Sequence, residues 1–311
     1  MDFRRLGDSG LKVSEIGLGC NNFGMRIDQA QTQVVVDAAL EAGINFFATA
    51  DVYGGTQSEV MLGEALKGRR QDVIVATKFA MPLGPSPYQR GGSRRYVITA
   101  VEASLKRLQT DYIDLYQMHA SDPDTPIAET LDALDDLIRV GKVRYIGCSN
   151  FTGWQIADAD WTARTQNKNR FVTAQNNYSL LERNVEREVT PACERFGLGL
   201  LPYFPLAAGM LTGKYRRDEA PAEGTRLAVW GKRGEAMLSD RNFDRVEKLT
   251  AWAAERDHTM LELAFAWLLG HPVTPSVIAG ATKADQVHAN AATAAWKLTP
   301  ADVAEVTALA K

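Results

Sequence analysis

The sequence predicts an α/β fold of the (β/α)8 TIM barrel type, with an N-terminal hairpin and an extra helical insert near the C-terminus. Three observations lead there. Eight short apolar, β-branched runs recur along the 311 residues: "EIGLGC", "INFFATA", "DVIVATKF", "YIDLYQMH", "VRYIGCSN", "FVTAQNNY", "LGLLPYFPL" and "PSVIAGA". Each run is nearly continuous in its hydrophobicity, as expected of a parallel strand covered on both faces. Segments of helical period separate them, and right-handed crossovers between successive parallel neighbours curl such a sheet until it closes.

The elements follow in order. "FRRLGDSGLKVS" reads as a hairpin around "GDSG", placed to plug the barrel floor or to form an ordered surface turn. "QAQTQVVVDAALEAG" reads as a helix with Val34, Ala38 and Ala42 on its apolar face and Gly43 as its stop. "SEVMLGEALKG" is a shorter helix of the same kind. "SRRYVITAVEASLKRLQ" offers Ser93 or Thr99 as cap, and "TPIAETLDALDDLIRVGK" offers Thr125 as N-cap, Pro126 as first helical residue and Gly141 as terminator. From Arg216 to Arg256 there is no convincing strand, so this stretch is the insert, with "SDRNFDRVEKLTAWAAER" as its helix. A doubly wound dinucleotide-binding sheet is the rival architecture. It is disfavoured because "GLGCNNFG" lacks the GxGxxG spacing and no capped helix follows it directly. With no repeat and no low-complexity linker, residues 1–311 read as one domain.

Composition narrows the function. There are 35 basic and 38 acidic residues, net charge −3, and no basic block, which argues against nucleic acid or an anionic membrane as partner and for a small molecule. Cys20, Cys148 and Cys193 show no CxxC spacing and read as buried hydrophobes. "MDFRRLGDSGLKVSEIG" carries charges where a signal peptide needs an apolar stretch, and no run approaches the ~20 apolar residues of a membrane span, so a reducing cytoplasm is expected.

In a barrel of this type the site lies at the carboxyl ends of the strands. The second strand ends in "ATADVYG", the third in Thr77-Lys78, the fourth in Gln117-Met118-His119 and the fifth in Ser149-Asn150. Tyr53, Lys78 and His119 thus come from three consecutive strands and can converge above the barrel mouth.

Here the sequence resembles the aldo-keto reductases along nearly its whole length, through "GINFF", "TADVYG", "ATKF", "TDYIDLYQMH", "RYIG", "QNNYSLLER", "LPYFPLAAGMLTGKY" and "IAGATKADQV" in family order. It looks most like the bacterial branch that also resembles the potassium-channel beta subunits. The resemblance implies a metal-free, NADP(H)-dependent oxidoreductase interconverting carbonyl and alcohol, with Tyr53 as general acid/base, Lys78 polarising it and His119 at the carbonyl oxygen. The family tetrad has a fourth member, an Asp five positions before the Tyr, and that position is Ala48. Asp51 is no simple substitute, since the family commonly has an acidic residue there as well. Losing the carboxylate strands a partly buried ammonium and depresses the lysine pKa, so an inactivated or weakened form is expected. A substitution that disables an otherwise intact site and a natural divergence toward weak catalysis or binding are both open.

The resemblance also implies a cofactor grip. Gly19 and Asn21 follow the first barrel strand; Ser149, Asn150 and Gln175 hold the carboxamide; Tyr203 stacks on the nicotinamide. Pro205, Leu206, Gly209, Leu211 and Lys214 wrap the pyrophosphate, with Arg226 clamping it from the insert. Gly280, Thr282, Lys283, Gln286 and Asn290 hold the adenosine end, Lys283 at a 2′-phosphate, while Ala289 replaces the family's usual acid. Phe23, Met81, Trp230 and "MPLGPSPYQRGG" offer an apolar wall for a bulky substrate. The alternative reading, from another class, is a cofactor-binding regulatory or partner protein resembling the channel beta subunits.

Overall fold

In the computed structural model, which describes residues 1–311 apart from the side chain of Arg233, the eight expected runs form a closed parallel barrel. Its strands are β3 (Ile16–Gly19), β4 (Phe46–Ala48), β5 (Ile74–Phe79), β6 (Ile113–Met118), β7 (Val143–Ser149), β8 (Thr173–Asn177), β9 (Gly199–Tyr203) and β10 (Val277–Gly280). Neighbours in sequence are neighbours in the sheet, and β10 closes the circle by pairing with both β9 and β3. Closure removes both sheet edges, which excludes the doubly wound rival.

The hairpin β1 (Phe3–Arg5) and β2 (Lys12–Ser14) does plug the floor. Leu6 and Val13, fully buried, join Phe46, Ala76, Leu115, Leu201 and Ile278 in one apolar cluster inside the barrel. Burying a side chain of this size contributes roughly 1.5–3 kcal/mol, enough to seat the hairpin. Gly7 is required at its turn, because φ is +52° and a Cβ would come within 2.5 Å of the Gly197 carbonyl oxygen.

Helices α1 (Gln29–Glu41), α2 (Gln57–Ala65), α3 (Arg94–Leu108), α4 (Ile127–Arg139), α5 (Gly153–Thr165) and α6 (Val189–Phe196) link the strands up to β9. Between β9 and β10 lie α7 (Arg226–Val229), α8 (Lys232–Met237), α9 (Asp240–Ala254) and α10 (Met260–Leu269); α11 (Ala284–Ala292) and α12 (Pro300–Leu309) end the chain. The insert helix is α9, which buries Phe243, Val246, Leu249 and Trp252 along one stripe.

Some local expectations shift. In α1 the buried face runs through Thr32, Val35, Val36, Ala38 and Ala39, and Val34 is 47% exposed. A run of three valines leaves the helical phase open, and the Asp28 cap, whose Oδ1 accepts from the Gln31 amide at 2.9 Å, starts the helix where Val35 and Val36 turn inward. Gly43, with φ +78°, does stop it. Ser93 caps α3, whereas Thr99 sits inside that helix and donates back to the Arg95 carbonyl. Pro126, not Thr125, occupies the cap of α4, because Asp122 draws the Thr125 hydroxyl into its own loop at 2.7 Å. The three cysteines are free and buried, and no described helix is long and apolar enough to cross a membrane.

Candidate active site

The strand ends are tied together by a ladder that outlasts β4. Beyond Ala48, the Thr49 amide donates to the Ala76 carbonyl at 2.8 Å and the Asp51 amide to the Lys78 carbonyl at 3.1 Å. The chain therefore climbs β5 for one more turn of pleat and carries Tyr53 over the barrel mouth. On the other side of β5, the His119 amide donates to the Phe79 carbonyl at 2.8 Å. Ala48 pairs in register with Ala76, and Lys78 lies two residues further along β5 on the same inward face.

These constraints bring the three candidate catalytic residues together. The Tyr53 and His119 rings meet edge to face at 5.7 Å between centroids, and the Lys78 ammonium stands 5.3 Å from the Tyr53 ring centre. Ala80, directly after β5, has φ +90°, and Asn150 at the end of β7 has φ +58°. Strained backbone of this kind gathers at working sites, where surrounding contacts hold it.

The lysine is more deeply buried than the sequence reading expected. Lys78 is 1% exposed, and its Nζ donates to the Thr49 carbonyl at 2.8 Å. Among the described residues it has no carboxylate in an ion pair with it. Burial pulls its pKa down to about 8, opposed by the negative charges of Cys20, Asp51 and Glu59 when ionised. Asp51 is turned elsewhere: its Oδ2 accepts from the Tyr96 hydroxyl at 3.3 Å, and its Oδ1 is buried without a partner. Burial, and then the neighbouring Glu59, push the Asp51 carboxyl up to about 7. Glu59 itself is paired with Arg107 at 2.7 Å.

The other two groups are dominated by desolvation. Burial, followed by the Lys78 charge, drives the His119 imidazole down to about 3, so it is neutral at working pH and can donate one hydrogen bond. Burial, with Tyr203 next, raises the Tyr53 phenol well above its ordinary value.

A cavity of about 830 Å³ opens over these residues and runs along the barrel mouth toward β10 and α11. Ala48, Tyr53, Lys78 and His119 line it together with Ser149, Asn150 and Gln175. The Tyr203 hydroxyl donates to Asn150 Oδ1 at 2.7 Å, Asn150 Nδ2 donates to the His119 carbonyl at 2.9 Å, and Gln117 Nε2 donates to Gln175 Oε1 at 2.8 Å. Gly19, Asn21, Pro205, Leu206, Gly209, Lys214, Arg226, Gly280, Thr282, Gln286 and Asn290 line the cavity as well. Gly209 has φ +99°, and a Cβ there would meet the Lys214 side chain at 2.9 Å. With Ala207 at φ +45° and Ala208 at +59°, it forms a left-handed run in which the Ala207 and Gly209 amides donate to the Phe204 and Leu206 carbonyls at 2.9 and 2.8 Å.

Five of the expected residues lie outside the cavity lining. Leu211 is fully buried beneath this loop and does not reach the cavity. Lys283 is exposed at the N-cap of α11, next to the lining residue Thr282 but outside the wall. Phe23 is fully buried in the core, and Met81 lies off the cavity, so neither forms a substrate wall. Trp230 packs edge to face on Phe204, which does line it. Sequence reasoning also missed Arg26, whose Nη2 donates to the Gly224 carbonyl at 2.7 Å and so joins the loop after β3 to the insert across the cavity. No local signal could have found it, as the two residues are 198 positions apart.

The aldo/keto reductase family model matches residues 15–311. The chain belongs to the aldo/keto reductase family. Among relatives of this aldo/keto reductase is the uncharacterized oxidoreductase YrpG of Bacillus subtilis, 40% identical over 299 residues, covering 92% of this chain and 89% of the relative. A probable voltage-gated potassium channel subunit beta of Oryza sativa is 36% identical, covering 93% and 90%. The versiconal hemiacetal acetate reductase of Aspergillus parasiticus is 33% identical, covering 97% and 95%. Oxidoreductases and channel subunits thus both stand among the relatives of this one barrel.

Proposed function

We propose that this aldo/keto reductase is an NADP(H)-dependent oxidoreductase that interconverts an aldehyde or ketone with its alcohol, in a form weakened at Ala48. The observation that carries this reading is the convergence of Tyr53, Lys78 and His119 in the lining of one large cavity. The cavity suits a dinucleotide: its volume of about 830 Å³ exceeds what a small carbonyl compound needs, and Lys214 and Arg226 bring positive charge to its lining. When bound, NADPH supplies the hydride for carbonyl reduction.

The chain's own groups do the rest. Ser149, Asn150 and Gln175 orient the carboxamide, and Tyr203 presents its ring beside them. Gly280, Thr282, Gln286 and Asn290 hold the adenosine end, with Lys283 reaching a 2′-phosphate from the rim. The neutral His119 donates to the substrate oxygen, and the Tyr53 hydroxyl delivers the proton as the alcohol forms. Lys78 stabilises the phenolate left behind, but with its pKa near 8 and no carboxylate partner it does so weakly. Residues 1–311 act as one domain, in the cytoplasm, where buried unpaired cysteines stay reduced.

The test is loss of NADPH absorbance with a panel of aldehydes and ketones. Slow turnover of at least one carbonyl, accelerated in Ala48→Asp, supports the reading. NADPH binding with no hydride transfer in either form would instead favour a cofactor-binding regulatory or partner protein, the reading that Ala48 and the channel-subunit relatives support.

A further inference from the structure

Ala48 and Lys78 stand on adjacent strands where the apolar interior cluster meets the cavity. The Ala48 methyl belongs to the interior cluster with Phe46 and Ala76, yet it also lines the cavity, so the cavity reaches down to it. Lys78 lines the same cavity one pleat above, on the adjacent strand and the same face. Its ammonium is 1% exposed and spends a single hydrogen bond, on the Thr49 carbonyl. An ammonium has more donors than one carbonyl can use, and a buried one strongly favours a negative partner. The nearby acids do not answer that need. Asp51 directs Oδ2 to Tyr96, and Glu59 is engaged by Arg107 and Thr77.

We propose that the space bounded by Ala48 and Lys78 is a binding site for a small monocarboxylate anion of formate size, which pairs non-covalently with the Lys78 ammonium. A methyl side chain leaves room for a carboxylate group that a longer residue would fill. The floor of that space is apolar, set by Phe46 and Ala76, so the charged group turns to Lys78 and not to the floor. Its consequence for rate rests on the oxidoreductase reading above: an anion that holds Lys78 protonated restores stabilisation of the Tyr53 phenolate. Its consequence for binding does not.

The test is the titration of Lys78 by NMR in protein labelled at lysine ε-carbon, with sodium formate against sodium chloride at matched ionic strength. Formate is expected to raise the Lys78 pKa saturably by about one unit, a tenfold change in its ionisation constant. Ala48→Val, which fills the space with apolar volume, should abolish the response; Ala48→Asp should raise the pKa in chloride alone and then show no response to formate. Single-turnover hydride transfer is read in parallel. A formate-dependent pKa without any gain in rate keeps the anion site and overturns the catalytic reading. No formate-dependent shift, or an equal shift with chloride or in Ala48→Asp, overturns the site.

Discussion

The Lys78 ammonium and the Thr49 carbonyl are joined by a 2.8 Å hydrogen bond in which a buried cation is held by a neutral backbone oxygen. A carbonyl dipole compensates a buried charge less well than a carboxylate does, and burial holds the lysine pKa down near 8.

Ala48→Asp is expected to raise the rate of carbonyl reduction by about 10- to 1000-fold, which corresponds to roughly 1.4–4 kcal/mol of transition-state stabilisation. Substrate affinity should move less. Rate against pH for both forms is the measurement, and the limb assigned to the Tyr53–Lys78 pair should shift upward as Lys78 keeps its proton longer. An aspartate form that is folded, binds cofactor and is no faster at any pH would speak for the regulatory reading.

Tyr53→Phe should lower single-turnover hydride transfer to an aldehyde by at least about a hundredfold, because it removes the general acid that delivers the proton. Cofactor affinity should stay nearly unchanged, since the hydroxyl is not part of the grip. An unaltered rate would make Tyr53 a packing residue only.

Lys283→Ala should weaken NADPH binding by about three- to tenfold and leave NADH unaffected, as expected of an exposed point charge acting on a 2′-phosphate. Titration against intrinsic tryptophan fluorescence reads both. The selectivity should shrink as salt is raised, because the lysine lies outside the cavity wall and is screened. Equal losses for both dinucleotides would remove the assignment.

Arg26→Ala should speed dissociation of the dinucleotide by about two- to fivefold, since it releases the insert residue Gly224 from the loop after β3 across the cavity. Stopped-flow displacement measures this. The thermal midpoint should hardly change, because the bond is exposed and ties no core element.

The two buried charges give folding stability opposite slopes with pH. Asp51 is raised from 3.8 to about 7, so the native state binds the extra proton between those values, and stability falls as pH rises through them. Lys78 is lowered from 10.5 to about 8, so the unfolded chain binds the extra proton there, and stability rises from about 8 toward 10.5. Denaturation at a series of pH values should show Asp51→Asn flattening the acid-side slope and Lys78→Met flattening the alkaline-side slope. If neither substitution alters the profile, the two groups titrate as they do in the unfolded chain.

Much of the barrel is written locally. An apolar run bounded by turn residues can be buried on both faces only as a parallel strand under helices, so "INFFATA" and "DVIVATKF" identify β4 and β5 without any partner being known. The order of strands follows from chain connectivity, and the polar residues just past each run must lie at the barrel mouth. Tyr53, Lys78 and His119 were therefore legible as neighbours, and Ala48 as the odd member among them.

What only the folded chain decided is which group each side chain meets once there. Lys78 finds its acceptor 29 positions away, Tyr96 reaches Asp51 across 45, and Arg26 reaches Gly224 across 198. Leu211 is turned into the core and Lys283 out to solvent by the path of their loops, although both sit within motifs whose neighbours line the cavity. Periodicity reports how deep a residue lies, because burial is a property of its own element. Hydrogen-bond partners and pKa values depend on distance and desolvation between elements, and those are set when the barrel closes around its apolar interior and lifts a lysine away from water with only a carbonyl to hold it.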